Sequence, residues 1–317
     1  MKNKLKFKTD GSFKIVQFTD LHYGENKENN KKTLDLAYNV IKFEKPDLII
    51  YTGDVIRGQE YESARNLLNE AISPAVISNI PFAMVIGNHD TEQTDPLTKV
   101  LTKDQYIDIQ QEHSSCMTQK GDPTIHGVGN YTIQIFGNNN KLQWVLFCID
   151  SGGVSTHPNI KGWDYIKRDQ IQWYTEKTKK LENKHGSFHS LMFFHIPLQE
   201  YKEVWHTRDC YGHKNEAING AELNSGLFST MLEMGNVRGV FAGHQHTNDF
   251  WGDFYGIKLA YGRCSGYNAY GKDGFKRGAR VIVLEDNVPD FRTYLNLEGN
   301  ETVLNQPLHT PEDIISP

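Results

Sequence analysis

Five short groups of residues in this 317-residue chain could bind metal ions: Asp20-Leu21-His22, Gly53-Asp54, Gly87-Asn88-His89-Asp90, His195 and Gly243-His244-Gln245-His246. Carboxylate, amide oxygen and imidazole without thiolate suit Mn, Fe or Zn, and argue against a structural Cys-rich zinc site. Asp20, His22, Asp54, Asn88, His195, His244 and His246 are too many donors for one tetrahedral ion. They suit two ions that share a carboxylate, about 3.5–4 Å apart, a pair that clamps the attacking and leaving oxygens of an in-line displacement. Such ions also lower the pKa of a bridging water, so that hydroxide is available near neutral pH. Each group alone has an ordinary reading. Gly-Asp is a turn, a lone histidine is a core residue bonded to backbone, and Asp-x-His recurs by chance. Gly-His-x-His says more, because residues two apart on extended backbone share a side. All five groups occur in order, each at the end of an apolar run, and together they point to a metal centre.

Those runs are FKIVQF (13–18), DLIIYT (47–52), FAMVI (82–86), WVLFCI (144–149), SLMFF (190–194), GVFA (239–242), IKLAY (257–261) and ARVIVL (279–284). Short apolar runs bounded by turn residues predict buried strands. Helical patterns lie between them at 30–45, 60–78, 98–115, 167–183 and 224–236, and the alternation predicts an α/β class. A last strand pair within 279–297 is expected to be antiparallel. Ligands of open α/β sheets bind at the carboxyl ends of the strands, which is where the five groups fall. Glycine before Asp54, Asn88 and His244 is expected to let the backbone turn sharply there. Two irregular stretches, 117–130 and 197–224, are long enough to be expected as walls of a substrate pocket. With no repeat, low-complexity segment or linker, residues 1–317 are expected to form one domain.

A net charge of -5 and a pI near 6.2 leave no basic footprint for nucleic acid or an anionic membrane. A small phosphorylated substrate would then be held by local charge, which bound metals supply. No stretch approaches the ~20 apolar residues of a membrane span. The basic start MKNKLKFKTDGSFK lacks the apolar run of a signal peptide, so the chain reads as cytoplasmic as given, with a secreted or periplasmic parent left open. Cys116, Cys148, Cys210 and Cys264 are scattered, and free thiols are expected rather than a disulfide framework. Oligomeric state has no signature in the sequence.

The five groups resemble the signature of the calcineurin-like metallophosphoesterase superfamily: D-x-H, G-D, G-N-H-D/E, H and G-H-x-H. The resemblance spans about residues 13–250. HIPLQEY (195–201), GHQHTNDF (243–250), YGRCSGY (261–267) and RGARVIVL (277–284) look like the small purple-acid-phosphatase-like branch. It implies a metallophosphoesterase fold, a four-layer sandwich of two facing mixed β-sheets flanked by helices, with strands in 257–297 completing the sheets. It also implies that Asp20, His22 and His246 hold one ion, that Asn88, His195 and His244 hold the other, and that Asp54 bridges. The implied activity is hydrolysis of a phosphate ester by bridging hydroxide, as a phosphomonoesterase first. A phosphodiesterase for a cyclic nucleotide or lipid headgroup is the alternative, and a non-catalytic scaffold the competing class. His89 would face the substrate and assist the leaving oxygen, with Asp90 orienting it or capping the next helix. True purple enzymes have a tyrosine ligand where this chain has Arg57, so the chain is expected not to be purple. Arg57 could instead fork a phosphate. Tyr201 and Arg263 are weaker candidates for substrate binding, with Tyr23, His213 and Tyr267 beside them. Asp249 could support a ligand histidine. The run 163–174 is assigned no chemistry.

Overall fold

The structure is a computed structural model and describes residues 4–24, 26–57, 61–93, 97 and 99–311. Positions 60 and 98, where two of the helical patterns begin, lie outside the described residues. The first elements are β1 (Leu5–Lys6), β2 (Ser12–Phe18), α1 (Lys27–Glu44), β3 (Leu48–Thr52), α2 (Tyr61–Ile77), β4 (Phe82–Val85) and α3 (Lys103–Gln111). Then come β5 (Tyr131–Phe136), β6 (Leu142–Cys148), α4 (Arg168–His185), β7 (His189–Phe193), α5 (Glu200–Thr207), β8 (Cys210–Tyr211) and α6 (Leu227–Met234). The chain continues through β9 (Val237–Ala242), β10 (Trp251–Phe254), β11 (Ile257–Tyr261), β12 (Gly278–Glu285), β13 (Phe291–Leu297), β14 (Glu301–Val303) and β15 (Leu308–His309).

Among the described residues these strands form two mixed sheets, ordered β14-β13-β12-β2-β3-β4 and β1-β5-β6-β7-β9-β11-β10-β8-β15. Strand alternation decides how they stack. In β3, Leu48 and Ile50 share a core with Trp144, Leu146 and Cys148 of β6 and with Leu191 and Phe193 of β7. That core lies between the sheets. The intervening residues Ile49 and Tyr51 face α1, α2 and α3, while Val145 and Phe147 of β6 face α4, α5 and α6. Side chains of a strand alternate between its faces, so the molecule is a helix, sheet, sheet, helix sandwich. Within it, β2, β3 and β4 run parallel in one sheet, and β6, β7, β9 and β11 run parallel in the other. The pair β12 and β13 is antiparallel, as expected.

The elements differ from the sequence reading where local signals were short. Helix α3 starts at Lys103 because Thr102 caps it, bonding to Gln105 N while Gln105 bonds back. The stretch 197–224, expected to be irregular, contains α5 and the two-residue β8. The stretch 117–130 holds no helix or strand. All four cysteines are buried, with no disulfide among the described residues. No described helix is long and apolar enough to cross a membrane.

Candidate metal centre

Each sequence group sits just beyond the carboxyl end of a strand: Asp20 and His22 after β2, Asp54 after β3, and Asn88 after β4. His195 follows β7, and His244 and His246 follow β9. Both sheets thus deliver donors to one edge of the sandwich. Four of these residues carry left-handed backbone: Asp20 (φ 54°), His22 (φ 44°), Asp54 (φ 50°) and His244 (φ 76°). Residues with a Cβ visit that region at a cost, and such strain gathers where geometry is functional. Glycine serves the loops mainly by close approach rather than by turning. A Cβ on Gly87 would lie 2.2 Å from Asp54 N and Oδ1, and one on Gly243 would lie 2.1 Å from Thr19 Oγ1. Gly53 needs both freedoms, since its φ is +87° and a Cβ would meet His195 Nδ1 at 2.5 Å.

The donors fall into two groups, Asp20, His22 and His246 in one and Asp54, His195 and His244 in the other. In the first, His22 Nε2 and His246 Nε2 are 3.0 Å apart, and His246 Nε2 is 3.5 Å from Asp20 Oδ1. In the second, His195 Nε2 lies 3.1 Å from both Asp54 Oδ2 and Asn88 Oδ1. Asp54 Oδ2 also lies 3.7 Å from His22 Nε2, which puts this carboxylate between the groups.

These spacings fit metal ions. Two ligands about 2.1 Å from one ion and at right angles to each other are about 3.0 Å apart. His195 Nδ1 donates to the Thr52 carbonyl at 2.7 Å, which leaves the Nε2 lone pair facing two oxygen acceptors. A cation satisfies all three. Protonation states agree: burial pushes the His22 and His244 imidazoles down to about 3, so both are neutral. Burial alone would raise Asp20 and Asp54, but the nearby histidines outweigh it and both stay ionised. Burial also opposes charge on His195, yet the Asp54 and Asp20 carboxylates lift it to about 9. Two buried carboxylates attract a positive charge, which a proton on His195 or a metal ion can supply, and metal binding releases that proton.

Comparison with known proteins agrees with this geometry. The sequence pattern of calcineurin-like phosphoesterases matches residues 13–248. The chain belongs to the calcineurin-like phosphoesterase family. It is 34% identical over 313 residues to "Probable inactive purple acid phosphatase 29" of Arabidopsis thaliana, covering 90% of this chain and 80% of that one. It is 32% identical to "Phosphatase DCR2" of Saccharomyces cerevisiae, over 78% of this chain but only 46% of the yeast protein. In fold it resembles a dimetal phosphatase from Danio rerio, with a TM-score of 0.59 at 14% identity, covering 95% of this chain and 99% of that one.

In this calcineurin-like phosphoesterase no described bond joins Asp90 to the His89 side chain, and the next described helix, α3, is capped by Thr102. Asp90 is fully buried and, among the described residues, accepts from five donors: Asp54 N, Val55 N, Ile56 N, Gly87 N and the Tyr106 hydroxyl. Burial first, then the Asp54 charge, raises its pKa to about 6. Asp90 therefore braces the two loops that carry Asp54 and Asn88. His89 is oriented by Glu92, whose Oε2 is 2.5 Å from His89 Nδ1. The sequence reading missed Glu92, although a carboxylate three residues past a histidine is a readable signal.

An open cleft of about 350 Å³ leads to Asp54, His89, His244 and His246. Its walls include Trp163, Glu216, Ile218 and Tyr270. Stretch 197–224 thus supplies part of the wall, as expected, while 117–130 supplies no lining residue. Trp163, in the run assigned no chemistry, stands edge-on to the His244 ring at 4.5 Å. Tyr201 is excluded from this cleft. It is a fully buried residue of α5, with its hydroxyl bonded to the Val240 and Ala260 carbonyls at 3.1 Å. Arg263 lies in a separate pocket beside His213, buried against Asp249 in an ion pair and under the Phe275 ring. Asp249 is spent on that pair and on His213 N, and no described bond joins it to a ligand histidine. Tyr23 is buried with its hydroxyl on Glu70, and Tyr267 N bonds to Thr33. Arg57 is exposed and is not among the residues lining the cleft.

Proposed function

We propose that this chain is a dinuclear metal-dependent phosphoesterase, with Asp20, His22 and His246 on one ion, Asn88, His195 and His244 on the other, and Asp54 between them. The observation that carries the reading is the Asp54 carboxylate, within 3.7 Å of His22 Nε2 and 3.1 Å of His195 Nε2. Two transition ions held there would supply Lewis acidity toward phosphate oxygens and a nucleophile at neutral pH. The chain's own groups do the rest. The Glu92 carboxylate only accepts, so His89 Nδ1 carries the hydrogen of that bond; a second proton, on Nε2 of the imidazolium, would be the one given to the leaving oxygen, returning the ring to neutral. His89 N donates to Asp54 Oδ1 at 2.8 Å, which ties the acid to the shared carboxylate. Trp163, Ile218 and Tyr270 form the apolar part of the open cleft's wall beside these groups.

The first reading is a phosphomonoesterase, supported by the phosphatase names of the yeast and zebrafish proteins. One observation favours a phosphodiesterase: no lysine or arginine lines the cleft among the described residues, and a diester brings one negative charge rather than two. The plant relative is named inactive, but every position of the family signature in this chain bears a donor of the right type. A scaffold protein would have no use for the set. The test is turnover of p-nitrophenyl phosphate against bis-p-nitrophenyl phosphate with added Mn²⁺, alongside metal analysis. Preference for the monoester and about two ions per chain are expected. Diester preference selects the second reading, and full activity in metal-free protein sinks the mechanism. His89→Ala is expected to lower turnover about 10²-fold or more with metal content kept. Equal loss of both would make His89 structural.

A further inference from the structure

We propose that the substrate's organic part is a planar aromatic group, seated on Tyr270 and Trp163; the proposal rests on the phosphoesterase reading. Each donor group carries one aromatic ring of its own. Tyr270 lies over His246, with ring centroids 4.0 Å apart and planes tilted by 32°. Trp163 meets His244 at 4.5 Å and 90°. Both rings line the cleft that reaches the donors.

Tyr270 is 56% exposed, so an open part of the ring remains although His246 occupies one face. An exposed tyrosine is usually mobile, but this one is fixed. Its hydroxyl donates to Glu216 Oε2 at 2.5 Å, and Glu216 Oε1 accepts from Thr247 N at 2.6 Å and from Thr247 Oγ1 at 3.0 Å. Arg277 holds the loop from below through the Ala269 and Tyr270 carbonyls, at 2.6 and 2.9 Å. Both oxygens of the Glu216 carboxylate are thereby committed to holding Tyr270 and Thr247. With no lysine or arginine among the described lining residues, the wall offers the organic part the Tyr270 and Trp163 rings and Ile218, with only the amides of Asn219 and Gln245 as further uncharged polar groups. Rigid aromatic rings beside an anion-binding centre favour a flat, polarisable group over a saturated or charged one. An aryl ester and a nucleotide share that chemistry.

The experiment uses phosphonates, which cannot be hydrolysed and so carry no leaving-group effect. Calorimetry on the Mn²⁺-loaded protein compares benzylphosphonate, a nucleoside 5′-phosphonate and cyclohexylmethylphosphonate, the saturated isostere. At least one aromatic ligand is expected to bind about tenfold tighter than the saturated one. The tighter of the two assigns aryl ester or nucleotide. Tyr270→Leu keeps apolar bulk over His246 and is expected to bring the ratio near one, with metal content measured alongside; Trp163→Leu is the second variant. Equal binding of the saturated ligand by the unsubstituted protein overturns the proposal. So does a preference that survives in the double variant. Hydrolysis of p-nitrophenyl phosphate with no aromatic preference defeats this inference alone, whereas no hydrolysis of either ester and no phosphonate binding defeats the phosphoesterase reading.

Discussion

In one half of the proposed centre, His195 is fully buried and turns Nδ1 onto the Thr52 carbonyl at 2.7 Å. In the other half, His22 and His246 are almost as buried, yet neither Nδ1 has a hydrogen-bond partner among the described residues. Their rings are held by packing instead, with His22 against His246 and His89 at 4.8 and 5.2 Å, and His246 under Tyr270 at 4.0 Å. The difference is physical. A hydrogen bond at the far nitrogen fixes both ring rotation and tautomer, whereas packing fixes position and leaves the tautomer open. In the proposed centre the His195 ring is therefore preorganised for a metal, whereas His22 and His246 would have their tautomers fixed only when a metal binds.

The comparison can be broken hardest at the carboxylate the halves share. Asp54→Ala should release both ions and lower kcat/KM by about 10³-fold or more; metal analysis that still finds two ions would remove Asp54 from its bridging place. A smaller effect separates the halves. Titration with a chelator should strip the ions in two steps, with the His195 side about 10- to 100-fold tighter, the range that support from outside the ligand shell is worth. His195→Ala should abolish the tight step and His246→Ala the weak one, and a single step in the unsubstituted protein would mean the halves are equivalent. The smallest effect lies at Glu92. Its bond to His89 Nδ1 gives the proposed acid the bracing that His22 and His246 lack. Glu92→Gln should lower turnover about tenfold with two ions retained. Unchanged turnover would show that His89 needs no orienter.

Much of the fold could be read because burial writes itself into long apolar runs. The strands that end in donors, β2, β3, β4, β7 and β9, are all such runs, and the same runs place the seven proposed ligands. Strand β5 was missed despite a clear period of two in YTIQIF, with buried and half-buried residues alternating at its start. The edge strands β1 and β15, and β8 beside β15, have two residues each, too few to show any period. The cleft wall was harder still. The path of the segment carrying Glu216 is set by Asn248, whose Oδ1 accepts from Asn215 N and Glu216 N across more than thirty residues of sequence. No local pattern announces such a bond. Asp90 shows a different failure: its type was noticed, but only the fold reveals that five donors converge on it.

The left-handed backbone at Asp20, His22, Asp54 and His244 bears on how such a protein drifts over generations. Each of these residues holds a conformation that glycine or asparagine would adopt more cheaply, by about 1 kcal/mol per position. Selection for the proposed metal chemistry would keep these costly residues in place. Once selection relaxes, exchanging them can relieve strain, and most of the sandwich core lies away from the change. Loss of catalysis in this architecture is then a step that need not threaten folding. A lineage can shed its chemistry and keep its shape, which leaves a sturdy body free to be recruited for other work.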